Sequence, residues 1–297
     1  MNRIISLALL LVVPHAANAL NVFACEPEWG ALVTELGPPD VELTVATTAF
    51  QDPHSLQAKP SLIAAVRSAD LVVCSGADLE IGWLPLLLRR AGNRQIQVGA
   101  PGHFLAAEYV RRLEVPKVID RSQGDVHPQG NPHIHLHPRN ISRVADALTE
   151  RLIEIDPDNT ALYRTRLDDF QRRWNQAAEE WEERVLALNG LRFASHHRSF
   201  SYLADWLRLD IVATLESKPG IPPSGAQLAT LLEQLTPDPP VGVIRTPYEN
   251  EKPSRWLSGR LDIPEIMLPF TVGGRDDVID LFTLYDVTLH MLEQRAP

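Results

Sequence analysis

Cysteine is nearly missing from this 297-residue chain, which carries only Cys25 and Cys74. Two thiols cannot furnish the four-ligand, CxxC-spaced set of a structural zinc site. Each ends a predicted strand, Asn21 to Cys25 and Asp70 to Cys74. In an oxidising compartment such a pair forms a disulfide, with a thiolate metal site as the competing reading. Basic charge is also short, with 28 Lys and Arg against 38 Asp and Glu and a net charge of −10. That balance argues against nucleic acid and anionic membrane as partners and does not oppose capture of a cation. Long apolar runs are absent beyond the start of the chain. Ile4 to Val13 is apolar, but roughly 20 residues are needed to span a bilayer. This run follows a basic start at Arg3 and precedes Ala17-Asn18-Ala19, the order of a secretory signal peptide. Residues 1–19 therefore read as a leader. The mature chain is expected to begin near Leu20 and to be a soluble, periplasmic protein.

What remains alternates short apolar strands with amphipathic helices, the pattern of an α/β fold with mostly parallel sheets. Strands are expected at 21–25, 41–45, 71–74 and 96–98, and again at 192–195, 211–215, 241–244 and 266–268. Helices are expected between them, including 60–69, 79–91, 141–155, 226–235 and 277–293. The longest helix is predicted over 159–188. Tyr163, Leu167, Phe170, Trp174, Ala177, Trp181 and Leu188 lie on one stripe along it, as a helix packed on one face requires. This gives two α/β lobes, 20–157 and 190–297, joined by a long rigid helix at 158–189, with a metal site in the cleft.

The chemistry-bearing signal is histidine, of which there are ten. His15 falls in the leader, and His103 and His290 are isolated. The others occupy three places where a strand gives way to a loop or helix. His54 lies in Asp52-Pro53-His54, after the second strand. His133 lies in Asn131-Pro132-His133-Ile134-His135-Leu136-His137-Pro138. His197 lies in His197-Arg198-Ser199-Phe200-Ser201-Tyr202. In open α/β sheets, loops beyond the carboxyl ends of strands line the binding crevice. Three distant segments can thus each send one imidazole to a common point. Imidazole suits zinc, copper, nickel and iron, whereas magnesium and calcium take oxygen. Taken singly, each histidine is also explained as a solvated loop side chain. His196 would point away in an extended strand and is not expected to be a ligand.

These three segments resemble the metal-binding motifs of the solute-binding proteins of zinc and manganese ABC transporters, the cluster A-I family. The family has Asp-Pro-His after its second strand, a stretch beginning Asp-Pro-His that residues 131–138 match loosely, and His-x-x-Phe-x-Tyr. It also has two lobes joined by a long helix. The resemblance implies that His54, His133 and His197 are metal ligands, that the cargo is Zn2+, and that the partner is an ABC permease in the inner membrane. Where the family has a ligand Asp in Leu-Asp-Pro, this chain reads Leu268-Pro269-Phe270. A carboxylate from the following loop is expected to substitute, Asp280 or Asp276 on equal terms and Asp277 behind them. Capping the final helix explains each of these equally well. A zinc-type subgroup is similar in its Thr-Val-Gly-Gly loop and its histidine-rich stretch. There the loop is thought to assist loading from a periplasmic zinc chaperone. His127, His135 and His137, near Asp125, form the matching relay, because an extended segment would place 133, 135 and 137 on one side. A polar loop that happens to be rich in histidine is the plainer alternative.

Two rival functions are weighed. A secreted zinc hydrolase needs an open metal position and a nearby base, and the chain has no His-Glu-x-x-His and no Gly-x-Ser-x-Gly. The expectation is therefore not an enzyme. A metallochaperone working without a permease is not separated by sequence. A monomer is expected.

Overall fold

The computed structural model describes residues 19–117 and 127–295. The leader expected at 1–19 lies outside them but for Ala19, and Asp125 also lies outside. Two four-stranded parallel sheets carry the fold. The first contains β1 (Asn21–Ala24), β2 (Glu42–Val45), β3 (Leu71–Cys74) and β4 (His103–Leu105), in the order β2-β1-β3-β4. The second contains β5 (Arg192–Ser195), β6 (Asp210–Thr214), β7 (Gly242–Arg245) and β8 (Glu265–Met267), in the order β6-β5-β7-β8. Each sheet reverses direction of winding beside its first strand, which opens a crevice at the carboxyl ends.

Alternation along the strands sorts side chains onto two faces. Val22, Ala24, Leu71 and Val73 join a core that continues through the second half to Phe193, Ile244 and Leu289. Phe23, Cys25, Val72 and Cys74 face the other way, into a separate apolar layer with Val66, Trp83 and Leu87. In that layer Cys25 and Cys74 are joined by a disulfide. The sheets are covered by α1 (Pro27–Leu36), α2 (Pro60–Ser68), α3 (Leu84–Ala91) and α4 (Pro138–Ile155) in the first half. After the long α5 (Thr160–Val185) come α6 (Ser201–Leu207), α7 (Gly225–Leu235), α8 (Glu251–Leu261) and α9 (Leu281–Glu293).

Helix α5 packs on α1, α4 and α9, so it touches both halves of the chain. Its stripe of Tyr163, Leu167, Phe170, Trp174 and Trp181 is buried. Each fully buried large apolar side chain contributes about 1.5–3 kcal/mol. The indole N–H groups, which would be costly to bury unpaired, donate to Pro138 O (3.0 Å, from Trp174) and Asp286 Oδ1 (2.7 Å, from Trp181).

Three elements differ from the sequence expectation, one of them the last helix, which begins at Leu281 rather than at 277 because Asp280 caps it. Residues 96–98 do not form a strand: Arg94–Ile96 is a 3-10 turn, whose first N–H groups are met by the Asn93 side chain at Gln95 N. The fourth strand is His103–Leu105 instead, which places His103 in a sheet. Two apolar residues around Gln97 carry too little pattern to separate a strand from a turn. The helix expected from Leu79 begins only at Leu84, with Pro85 in its first turn. Ahead of it, Ala77 and Asp78 are left-handed, at φ 51° and 66°. The Glu80 side chain folds back to accept from Ser75 N (2.8 Å) and Gly76 N (3.1 Å). That local capping overrides the apolar period.

Candidate metal centre

The Asp52-Pro53-His54 turn lies in the loop after β2. Asp52 Oδ1 accepts from His54 N at 3.0 Å, an Asx turn that Asp favours. The same oxygen lies 2.8 Å from His54 Nδ1. Behind the turn, the buried Trp83 indole donates to Pro53 O at 2.9 Å. His133 is set by Asn131, whose Oδ1 accepts from His133 N at 3.0 Å. Asn131 Nδ2 in turn donates to Arg198 O at 2.8 Å, and the Tyr202 hydroxyl donates to Asn131 O at 2.9 Å. The His133 loop is thereby tied to the segment carrying His197. His197 follows β5, and its Nδ1 lies 2.7 Å from Glu216 Oε2, on the loop after β6.

These three loops meet. One ring nitrogen from each of His54, His133 and His197 lies within 4.8 Å of the others. Ring centroids are 5.5 Å apart for His54 and His133, 5.9 Å for His54 and His197, and 6.0 Å for His133 and His197. Carboxylates occupy Nδ1 of His54 and of His197, so Nε2 is the nitrogen each turns away from its carboxylate. His133 is buried, whereas the His54 and His197 side chains are 17% and 11% exposed. Burial, reinforced by the neighbouring His54 and His197, holds His133 well below the usual imidazole range. Its lone pair is therefore free of a proton at neutral pH. Asp52 stays below the usual carboxylate range: burial alone would raise it, but His54 outweighs burial.

The mouth of this cluster is a cavity of about 490 Å³ whose lining includes His127, His133 and His197. His127 Nε2 lies 3.1 Å from His54 Nε2. Burial and the nearby His54 and His197 push the His127 imidazole down to about 4. A second opening of about 260 Å³ is lined by Asp52, His54, His197, Glu216 and Glu249. Burial pushes Glu249 up to about 8, with Glu216 adding to the rise.

The remaining residues singled out in the sequence lie elsewhere. Residues 134–136 form a 3-10 turn, so 133, 135 and 137 do not share a side. His135 turns inward: Nδ1 is 3.0 Å from the buried Glu28 Oε1, and Nε2 is 2.9 Å from Phe270 O. Only Nε2 is hydrogen-bonded. His137 caps α4, accepting from Arg139 N. His196 is buried with Nε2 4.0 Å from Glu216 Oε1. Asp280 caps α9, where Oδ1 accepts from Thr283 N at 2.7 Å and Thr283 Oγ1 accepts from Asp280 N at 3.0 Å. Asp276 and Asp277 are exposed, and Asp277 pairs with Arg275 at 2.9 Å. None of these three Asp residues is brought to the imidazoles. The floor beside His133 is instead the ring of Phe270, 5.3 Å away. Cys25, Cys74 and Glu80 also lie close together, but both sulfurs are spent in the disulfide and Glu80 accepts from Ser75 and Gly76.

Sequence reasoning did not find Glu28, Glu216 or Glu249. Asp52 alone had a local signal, the Asx-Pro turn. Glu28 and Glu216 sit 107 and 19 positions from the histidines they meet, and Glu249 lines the same opening while accepting from Ser199 and Thr246.

The sequence family described as ZnuA, zinc-uptake complex component A periplasmic, matches residues 22–284. The chain belongs to this family. A manganese ABC transporter substrate-binding lipoprotein of Streptococcus gordonii is 24% identical over 172 residues, 57% of this chain and about half (52%) of the relative. The high-affinity zinc uptake system protein ZnuA of Yersinia pestis is 24% identical over 257 residues, covering 81% of this chain and 79% of that protein. Among solved structures, a crystal structure of ZnuA matches with a TM-score of 0.78 at 21% identity, over 94% of this chain and 100% of that one. The two-lobed fold of the ZnuA family is thus the fold of this chain.

Proposed function

We propose that this chain is the zinc receptor of an ABC importer, working outside the cytoplasmic membrane. The observation that carries the reading is the convergence of His54 and His197, from the loops after β2 and β5, with His133, from the segment leading into α4. Nitrogen donors favour zinc over manganese, magnesium and calcium, which take more oxygen. Zinc accepts four ligands at about 2.0–2.1 Å from imidazole nitrogen, and small side-chain rotations suffice to draw the three nitrogens in. His127, already against His54 at the mouth, supplies the fourth nitrogen or hands zinc inward. Asp52 and Glu216 fix His54 and His197 in the tautomer that presents Nε2, the support expected behind metal-ligating histidines.

The name of the Yersinia relative supports zinc, and that of the Streptococcus relative marks manganese as the competitor. A membrane permease with its ATPase is the implied partner. A periplasmic zinc chaperone as loader, a monomeric state, and lobes at 20–157 and 190–297 joined by 158–189 complete the proposal. Capture makes and breaks no covalent bond of a substrate. The test is equilibrium dialysis of metal-stripped mature protein against zinc. Wild type should retain one equivalent, and His197→Ala should lose tight binding with its circular dichroism unchanged. Equal retention by both would remove His197 from the site.

A further inference from the structure

Two of the three imidazoles have a carboxylate on the nitrogen turned away from the metal position, and the third does not. Neither ring nitrogen of His133 makes a hydrogen bond within the protein, although both are buried. An unpaired buried polar atom costs about 1–3 kcal/mol, so a partner for the rear nitrogen is expected. His133 lines the open mouth on one side. On the other it lines a small cavity of about 10 Å³, together with Glu26, Thr47, Tyr248 and Phe270. Space of this size holds about one water when two or more polar groups face it. Glu26 is such a group: it is 2% exposed, and its buried Oε1 has no donor of another residue type, the Glu80 carboxyl being the side chain that shares a hydrogen bond with it. Its other oxygen accepts from Ser75 N and Ser75 Oγ, each at 3.2 Å, which anchors the carboxyl in place.

We propose that one buried water in this cavity joins Glu26 to the rear nitrogen of His133, making Glu26 a positioning residue for the third ligand. The three imidazoles would then be supported alike, His54 by Asp52, His197 by Glu216, and His133 by Glu26 through water. Water suits this place because Glu26 sits on the turn after β1, beside the disulfide, and its carboxyl is committed to Ser75. Water-mediated hydrogen bonds are nearly as good as direct ones. The water orients the ring and selects the tautomer that leaves the front nitrogen bare. Burial, with the charges of Glu80 and Glu28, holds the Glu26 carboxyl well above its usual range. A neutral carboxyl can still accept from or donate to a water.

The inference rests on His133 as a ligand, but its first test needs no zinc. A high-resolution crystal structure of the metal-free mature protein should show an ordered water at about 2.7–3.2 Å from both Glu26 Oε1 and a His133 ring nitrogen. No ordered water there, or a protein group on that nitrogen, would overturn the proposal and leave the zinc assignment standing. Glu26→Ala should weaken zinc binding about 10–100-fold, as loss of an outer partner does, and Glu26→Gln should recover most of that loss. Long-range ¹⁵N–¹H spectra of the imidazoles separate positioning from general loosening. In Glu26→Ala the His133 ring pattern should change while those of His54 and His197 hold. An unchanged His133 pattern would refute the role. If Glu26→Ala does not fold, Glu26→Gln and the wild-type crystal decide.

Discussion

Asp280 offers a sharp choice between two roles, ligand or helix cap, and Asp280→Ala separates them. Its carboxylate accepts from Thr283 N, and the Thr283 hydroxyl accepts from Asp280 N in return, a reciprocal capping box at the start of α9. Loss of an N-cap side chain costs about 0.5–2 kcal/mol, typically about 1. The upper half of that range is expected here, because Leu281 and Tyr285 in the first turns of α9 are buried in the main core. For a chain of this size about 1 kcal/mol shifts Tm by roughly 2–4 °C. Thermal denaturation of the metal-free variant should therefore fall by a few degrees. Zinc affinity measured against a competing chelator should stay within about threefold of wild type, less than the tenfold that 1.4 kcal/mol represents. A variant as stable as wild type that binds zinc more than tenfold more weakly would refute the capping account and make Asp280 a ligand.

Two further outcomes follow from the buried polar groups. His135→Ala removes the ring that meets Phe270 O and lies against Glu28, both His135 and Glu28 side chains being 2% exposed. It should cost about 1–3 kcal/mol of stability, as leaving a buried acceptor without its partner does, read by urea denaturation; a loss under about 0.5 kcal/mol would contradict this. Burial raises Glu80 from 4.5 to about 7, so between those values the folded state keeps a proton that the unfolded state releases. The associated stability is complete below about pH 4.5 and lost as pH rises through about 7, and it belongs to the Glu80 and Glu26 carboxyls as a pair. Glu80→Gln should remove that part of the pH dependence when unfolding is compared at low and neutral pH, and an unchanged slope would assign it elsewhere.

Much of this was legible along the chain because strand-terminal loops point to one edge of a parallel sheet. The alternation of apolar runs placed both sheets and α5, and the loops after β2 and β5 placed His54 and His197 near one another, whereas His133 arrives from the segment leading into α4 rather than from a strand end. Failures came where local capping or tertiary contacts override pattern. Glu80 folds back on Ser75 and delays α3. The 3-10 turn at 134–136 sends His135 to Glu28 rather than beside His133, a contact across 107 positions that no periodicity encodes. Glu216 meets His197 only because β5 and β6 are neighbours, so its place is readable once the sheet order is known and not before.

The most direct test is a zinc-loaded crystal structure with anomalous data at the zinc edge. A single zinc peak held by Nε2 of His54, a ring nitrogen of His133 and Nε2 of His197 is predicted, with Glu216 still on His197 Nδ1. Zinc found away from these three imidazoles, or held by oxygen ligands from residues 271–280, would contradict the account.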